Sequence, residues 1–168
     1  MDNSYVIAID FGTAYSGYAF NITARDEESD PILKRWGAKH GLDTPKTPTC
    51  ILFDENGKFL SFGYEAKTTY IKMRGEEAKK HYFFEGFKLI LYDRDLNRNL
   101  KIKAANGEEM TALKVFSESL RFLKDDSQAS SSSDRRHQYR PRGVYIPMLH
   151  QECSSSSSKS SSMSPAGA

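Results

Sequence analysis

A carboxylate followed by a glycine turn marks a short segment whose residue types suit phosphate chemistry. The segment reads Ile9-Asp10-Phe11-Gly12-Thr13 and continues the apolar run at residues 5–9. A buried strand that ends in a carboxylate can hold hydrated Mg²⁺ through water. Gly12 has no Cβ, so the backbone there can approach an oxyanion, and the N–H groups of residues 12–15 can form an anion nest. The pattern predicts a phosphate-binding turn, with an ordinary hairpin as the alternative.

Two other common phosphate-binding motifs are absent from this sequence. No Gly-Lys-Ser/Thr follows Gly12, and no Gly-x-Gly occurs at any position. These absences exclude the P-loop and the dinucleotide-binding loop of nucleotide-binding proteins. Thr13 and Ser16 instead add hydroxyl donors to the turn.

The elements that must position this turn are predicted from apolar spacing and turn residues. We predict strands at residues 5–9, 18–22 and 32–36. Asn56-Gly57 predicts a hairpin of residues 49–53 with 58–62, and Asn106-Gly107 predicts another of residues 100–104 with 108–110. Three helices are predicted: residues 64–73, residues 76–84 and one that follows Thr111 as N-cap. The apolar face of the third is predicted from residue spacing to be Leu113, Phe116, Leu120 and Leu123.

Composition changes sharply near Asp126. Residues 1–126 hold most aromatic and apolar residues, whereas residues 127–168 are rich in serine. A serine-rich segment buries too little apolar surface to offset its chain entropy. We therefore predict one folded unit at residues 1–126 and a disordered tail at residues 127–168. The apolar run at residues 144–149 is either a docking segment for protein partners or a run without a role.

Charge and cysteine content limit the function classes that we expect. The net charge of this 168-residue chain is +2, and acidic and basic residues nearly balance before Asp126. The folded part thus gives no electrostatic reason to expect nucleic acid or membrane partners. Two cysteines, one in each part, form no disulfide framework, and Cys50 is predicted to be a buried small hydrophobe. With no signal peptide or long apolar run, we expect a cytoplasmic protein.

Four blocks of the sequence, in order, resemble the 70-kDa heat-shock protein family. Residues 9–17 resemble its first phosphate loop, residues 46–53 its Thr-Pro-Ser strand, and residues 62–67 a helix start. Residues 84–90 resemble the stretch that holds its catalytic lysine. The amino-acid sequence of the blocks is most similar to that of the divergent 12A/12B branch, and the resemblance covers about residues 4–125. It implies an α/β fold: a partial actin-like, ribonuclease-H-like ATPase lobe.

The resemblance also implies roles for individual residues. Asp10 would help to hold Mg²⁺, and residues Gly12, Thr13, Ala14 and Tyr15 would line the phosphates of ATP. Ala14 stands where common members have threonine, so one hydroxyl donor is missing. Lys88 would act near the γ-phosphate as the catalytic lysine, with a surface lysine on a strand as the alternative.

The resemblance leaves three functions open. The first is an ATP-binding fragment of a chaperone-like, stress-response ATPase. The second function is that of a truncated, non-catalytic isoform or regulatory protein that binds no nucleotide. It is suggested because the family's other glycine-rich loop and other lobe are not found in this sequence. The third is a sugar kinase of the same superfold, which shares the first loop but not the blocks at residues 62–67 and 84–90.

Overall fold

Hairpins and helices alternate along the chain, which the computed structural model describes for residues 4–23, 31–93, 97–133 and 140–145. The strands are β1 Ser4–Phe11, β2 Tyr15–Thr23, β3 Ile32–Leu33, β4 Thr47–Pro48, β5 Cys50–Phe53, β6 Phe59–Phe62, β7 Tyr82–Glu85, β8 Lys101–Lys103, β9 Glu109–Thr111 and β10 Arg140–Tyr145. The α-helices are α1 Gly63–Lys72, α2 Glu76–Lys80, α3 Ile90–Asp93 and α4 Ala112–Ser133, with 3-10 turns at Ala38–His40 and Phe87–Leu89. The predicted α/β class is confirmed.

The largest sheet in the described part of the chain is built on the β1–β2 hairpin. It has five strands in the order β10-β1-β2-β3, with β4 also paired to β2. The β1–β2 pairing is antiparallel and ends with Phe11 opposite Ser16, whereas β10 runs parallel to β1. Strands β6-β5-β7 and β8-β9 form two smaller antiparallel sheets. This mixed architecture of three sheets agrees with the predicted partial actin-like lobe.

The core lies on one face of β1, as the alternation of its residues requires. Ile7 and Ile9 are fully buried and Phe11 is nearly so, while Val6 and Ala8 point outward. Alternate residues of a strand face opposite sides of a sheet, so one face of β1 packs inward. It belongs to a cluster that includes residues of β2, β5, β6, β7 and α4. The described core therefore holds the strand that leads directly to the glycine turn.

Helix α4 packs with a different face from the predicted one. Leu113 was expected in the core, but it is 61% exposed. The residues that are buried along the helix are Ala112, Val115, Ser119, Leu123 and Ser127. Phe116 and Leu120 are partly buried against the core, so the prediction was close in phase but wrong at Leu113. Ala112 N donates to Leu100 O at 2.7 Å, which fixes the start of the helix beside the β8–β9 hairpin.

The second predicted helix is shorter than expected. Residues 76–84 were predicted helical, but α2 ends at Lys80 and Tyr82–Glu85 forms strand β7. This strand pairs along the full length of β5, whose four residues are all buried. Aromatic residues favour strands that can pack on such a surface, and here tertiary pairing prevails over the local helical pattern. Helix α1 and both Asn-Gly hairpins lie where they were predicted.

Regular structure continues past residue 126, where the folded unit was predicted to end. Helix α4 extends to Ser133, and Arg140–Tyr145 pairs with β1. The predicted tail at residues 127–168 thus includes these two stretches of regular structure, and its disorder stays a prediction. The rest of that segment lies outside the described residues.

A polar cluster joins the C-terminal half of α4 to the first hairpin. The Tyr18 hydroxyl lies 2.6 Å from Asp126 Oδ2 and 2.8 Å from Ser130 Oγ. Lys34 Nζ lies 2.9 Å from Ser130 Oγ and 3.3 Å from Asp126 Oδ2. Burial raises the pKa of Tyr18 above its usual range, and the hydrogen bond to Asp126 raises it further. The phenol is thus held neutral as a donor to α4.

We predict that Tyr18→Phe destabilises the chain by about 1–2 kcal/mol, because Asp126 loses a hydrogen-bond donor. The pKa of Tyr18 is raised in the folded chain. The stabilisation that the Tyr18 hydroxyl gives is therefore complete at pH values below about 10, the pKa of tyrosine in the unfolded chain. It is lost as the pH rises above that value, since the unfolded chain then releases the proton first. Urea unfolding of both chains between neutral and alkaline pH measures the difference.

Tyr92→Phe is the matched control, because Tyr92 is 57% exposed. Its stability should follow that of the unsubstituted chain at every pH. A difference between Tyr18→Phe and the unsubstituted chain that stays constant through alkaline pH would contradict the proposed titration.

Candidate functional site

The turn between β1 and β2 is closed by a main-chain hydrogen bond. Gly12 N donates to Tyr15 O at 3.1 Å. A Cβ at Gly12 would lie 2.2 Å from that carbonyl oxygen, which no side chain tolerates. Close approach of backbone therefore requires glycine here. The same bond engages the Gly12 N–H, which was predicted to belong to the anion nest.

The next two amides of the turn have no acceptor among the residues that the structure describes. Neither Thr13 N–H nor Ala14 N–H donates a hydrogen bond to another residue in the described part of the chain. Ala14 is exposed and Thr13 is half-buried, so both lie within reach of solvent. Tyr15 begins β2, opposite Pro48 of β4, and its side chain is 53% exposed. Of the four predicted phosphate-lining residues, two thus present unengaged amides.

Thr49 holds this turn from the strand side. Its N–H donates to Ala14 O at 2.8 Å, and its Oγ1 donates to Gly12 O at 2.8 Å. Ser16 Oγ lies 2.7 Å from Thr49 Oγ1. Because the single Thr49 hydroxyl proton goes to Gly12, Ser16 is the donor in that pair. Both Ser16 and Thr49 are almost completely buried, so the turn is pinned by bonds that water does not replace.

A second threonine ties the turn to the start of α1. Thr47 lies opposite Ser16 in the β2–β4 pairing, and its Oγ1 accepts from Tyr64 N at 3.0 Å. Gly63 has φ +67°, and a Cβ there would lie 2.0 Å from Thr47 Oγ1. Cys50 Sγ lies 3.3 Å from Gly63 O, and burial raises the pKa of this thiol to about 12. Its burial, as predicted, is confirmed, and the thiol is structural in character.

Asp10, the predicted magnesium residue, forms an ion pair. Lys46 Nζ donates to Asp10 Oδ2 at 2.5 Å. The side chains of Lys46 and Asp10 are 49% and 41% exposed. Asp10 is the residue opposite Gly17 in the β1–β2 pairing, so its carboxylate lies beside the turn. An ammonium group therefore already neutralises the carboxylate next to the two unengaged amides.

Lys88, the predicted catalytic residue, reaches the same turn from another element. It lies in the 3-10 turn Phe87–Leu89, and its Nζ donates to Phe11 O at 2.6 Å. The ring of Phe87 is buried and contacts Phe11 and Phe116, with centroids 6.1 Å and 5.2 Å away. This packing fixes the residue next to Lys88. The alternative placed this lysine on the surface of a strand. It lies in a 3-10 turn instead, and it is half-buried.

Asp10 directly precedes Phe11 and the turn, and Lys88 binds the carbonyl oxygen of Phe11. The structure adds two residues to which no role was assigned. Lys46 and Thr49 fall in the block at residues 46–53, but neither residue type carried a signal of its own. Their partners lie 36 and 37 residues away in sequence, at Asp10 and Gly12. A prediction that β4 pairs with β2 would have found both.

The described residues do not form a metal centre on their own. Nowhere in residues 4–23, 31–93, 97–133 and 140–145 do three or more His, Cys, Asp or Glu side chains cluster so as to hold a metal ion. In the same residues, every helix is too short or too polar to cross a membrane.

Comparison with known proteins identifies relatives of the chain. No protein-family model matches it. Heat shock 70 kDa protein 12B of Homo sapiens is 43% identical over 124 residues, which is 73% of this chain and 18% of that protein. Heat shock 70 kDa protein 12A is 40% identical in Mus musculus and 39% in Homo sapiens, with the same coverage. The chain is a relative of these 12A/12B-type heat shock proteins. It spans about one fifth of their length (18%).

These relatives bear on the alternatives left open by the sequence. All three carry the name of the heat shock 70 kDa proteins, so the predicted resemblance is confirmed. They favour heat-shock ancestry over the sugar kinase alternative. The roles of Asp10, residues 12–15 and Lys88 in this chain stay predictions.

We predict that Thr49→Val loosens the turn while it preserves side-chain shape. The substitution leaves the buried Ser16 hydroxyl and the Gly12 carbonyl without their partner, which should cost about 1–3 kcal/mol. Urea unfolding gives the change in stability, and amide chemical shifts at residues 12–16 report the local effect.

Thr69→Val is the control, because Thr69 is exposed on α1. It should change neither the unfolding free energy by more than about 0.5 kcal/mol nor the turn shifts. Equal effects of the two substitutions would refute the pinning role of Thr49.

Proposed function

We propose that the described residues form one wall of a split ATP site, in which the turn at residues 12–15 receives the nucleotide phosphates. The observation that carries this proposal is that two unengaged amides directly follow the two residues, Asp10 and Phe11, that bind lysine side chains. Thr13 and Ala14 supply the amides, while Lys46 and Lys88 are held at Asp10 and Phe11, directly before the turn. Each ammonium has three N–H groups, so each can keep its protein partner and donate to a phosphate as well.

Kinship with the 12A/12B heat shock proteins supports ATP as the nucleotide. The chain covers 18% of the length of these relatives, so a facing wall would have to come from residues not found in it. One wall offers few contacts, and binding must offset the loss of translational and rotational freedom. We therefore propose that this chain alone binds ATP weakly and does not hydrolyse it, with Lys88 as the residue that would serve catalysis in a complete cleft.

The proposed magnesium cofactor meets an obstacle in this chain. Asp10 is the carboxylate predicted to hold Mg²⁺, yet its Oδ2 already accepts from Lys46 Nζ at 2.5 Å. Mg²⁺ prefers several oxygen ligands and keeps much of its water. The described residues offer Asp10 without a cluster of further metal-binding side chains. The protein groups at this turn therefore do not fit a resident metal ion.

Weak ATP binding is testable on the full chain by following amide resonances during titration with ATP. We expect saturable shifts at Thr13 and Ala14 with a dissociation constant of roughly 1 mM, about −4 kcal/mol. Lys88→Met should weaken binding about tenfold, because a charge-assisted hydrogen bond is lost. A coupled assay for ADP should show no turnover.

Lys103→Met is the control, since Lys103 is exposed on β8. It should leave the affinity for ATP unchanged. Micromolar affinity would contradict a one-walled site. If no turn residue shifts with ATP, nucleotide binding is refuted and the non-catalytic regulatory protein becomes the better interpretation.

A cytoplasmic location and protein partners for residues 127–168 also belong among our proposals. They rest on composition and on the apolar run at residues 144–149. Of that run, residues 144 and 145 lie in strand β10, beside β1.

A further inference from the structure

We propose that Lys46 is a built-in counter-cation of the phosphate site, so that this site takes nucleotide phosphates without a divalent cation. The inference rests on the proposed function and assigns a charge specificity to it. It begins from the placement of one lysine and one carboxylate. Lys46 Nζ lies 2.5 Å from Asp10 Oδ2, at the position where a cation would neutralise that carboxylate.

The backbone of Lys46 is fixed where the lysine can reach Asp10. It directly precedes β4, whose Thr47 lies opposite Ser16 of β2. Thr44 Oγ1 donates to Lys46 O at 2.8 Å and holds the preceding loop. The lysine is thus attached to the same hairpin that carries the turn.

Gly17 provides the path for the lysine side chain. In the β1–β2 pairing Gly17 is the partner of Asp10. A Cβ at Gly17 would lie 3.3 Å from Lys46 Cγ and 2.9 Å from Pro45 O. The missing side chain leaves room for the Lys46 stem to cross β2 and present its ammonium to Asp10. The stem of Lys46 therefore lies against the hairpin, while its ammonium and the Asp10 carboxylate belong to side chains that are 49% and 41% exposed.

The charges at the turn favour an anion over a metal ion. Asp10, Lys46 and Lys88 together carry a net charge of +1, taken as one negative and two positive groups. A divalent cation approaching Asp10 meets the Lys46 ammonium. A phosphate at the turn has as candidate donors this ammonium, the Lys88 ammonium at Phe11 O and the amides of Thr13 and Ala14. Lys46 can bridge Asp10 and a phosphate with separate N–H groups.

The test compares ATP binding in EDTA with binding in excess MgCl₂, measured on the full chain by the shifts of Thr13 and Ala14. The unsubstituted chain should bind ATP no more weakly in EDTA than in MgCl₂. Lys46→Met should weaken binding in EDTA about tenfold or more, as expected for a lost charge-assisted hydrogen bond. In this variant MgCl₂ should tighten binding, because Asp10 is left without a counter-cation.

Two further variants separate charge from structure. Lys46→Arg keeps the positive charge and should retain binding in EDTA. Lys39→Met removes an exposed lysine that is paired with Glu65 at 3.5 Å, and it should bind ATP as the unsubstituted chain does in both buffers.

The outcomes distinguish this inference from the proposed function. If the unsubstituted chain binds ATP in MgCl₂ but not in EDTA, the role of Lys46 is overturned while the phosphate site stands. Equal binding of Lys46→Met and the unsubstituted chain in EDTA overturns it as well. Absence of ATP binding in both buffers refutes the phosphate site itself, and Lys46 then has no anion to serve.

Discussion

The hydrogen bonds of Thr49 to the turn at residues 12–14 are the constraint on which the site depends. They join the β1–β2 hairpin to the start of β5, since Thr49 directly precedes Cys50. Thr47, two residues earlier, accepts a hydrogen bond from the amide of Tyr64, the second residue of α1, and packs against Gly63. One extended segment therefore positions both the glycine turn and the helix that follows. Because these groups are buried, any shift of the segment would leave polar atoms unsatisfied, which makes the arrangement strongly specified.

The groups that would meet a ligand are held differently from the groups that fix the turn. Thr49 and Ser16 are almost completely buried, whereas Asp10 and Lys46 have side chains that are 41% and 49% exposed. A salt bridge this exposed contributes little to folding stability, because water and ions screen it. The pair can rearrange when an anion arrives without a large loss of stability. The site thus combines a rigid backbone with charged side chains that are free to adapt.

Local signals explain what the sequence could predict of this fold. Asn56-Gly57 and Asn106-Gly107 each lie at a hairpin, and both glycines have positive φ, which that residue adopts at little steric cost. The turn at Gly12 was equally local. By contrast, the phase of α4 and the identity of β7 depend on contacts with distant strands. Leu113 faces solvent and residues 82–85 join β5 because of packing that periodicity does not encode.

The distinction between local signals and contacts with distant residues applies to the candidate site as well. Asp10, Lys88 and the turn could be proposed from residue types and family resemblance, but Lys46 and Thr49 act across 36 and 37 residues of sequence.

Together the chain offers a phosphate two amides and two ammonium groups. Hydrogen bonds to charged groups contribute about 1.5–3 kcal/mol each. Association itself costs about 4–15 kcal/mol. Four such contacts contribute about 6–12 kcal/mol, which is no more than comparable to that cost. They also involve only the phosphates and not the base or the ribose. A second wall would add contacts without repeating the cost of association, which is the physical reason why one half of a cleft can keep its geometry and still bind weakly.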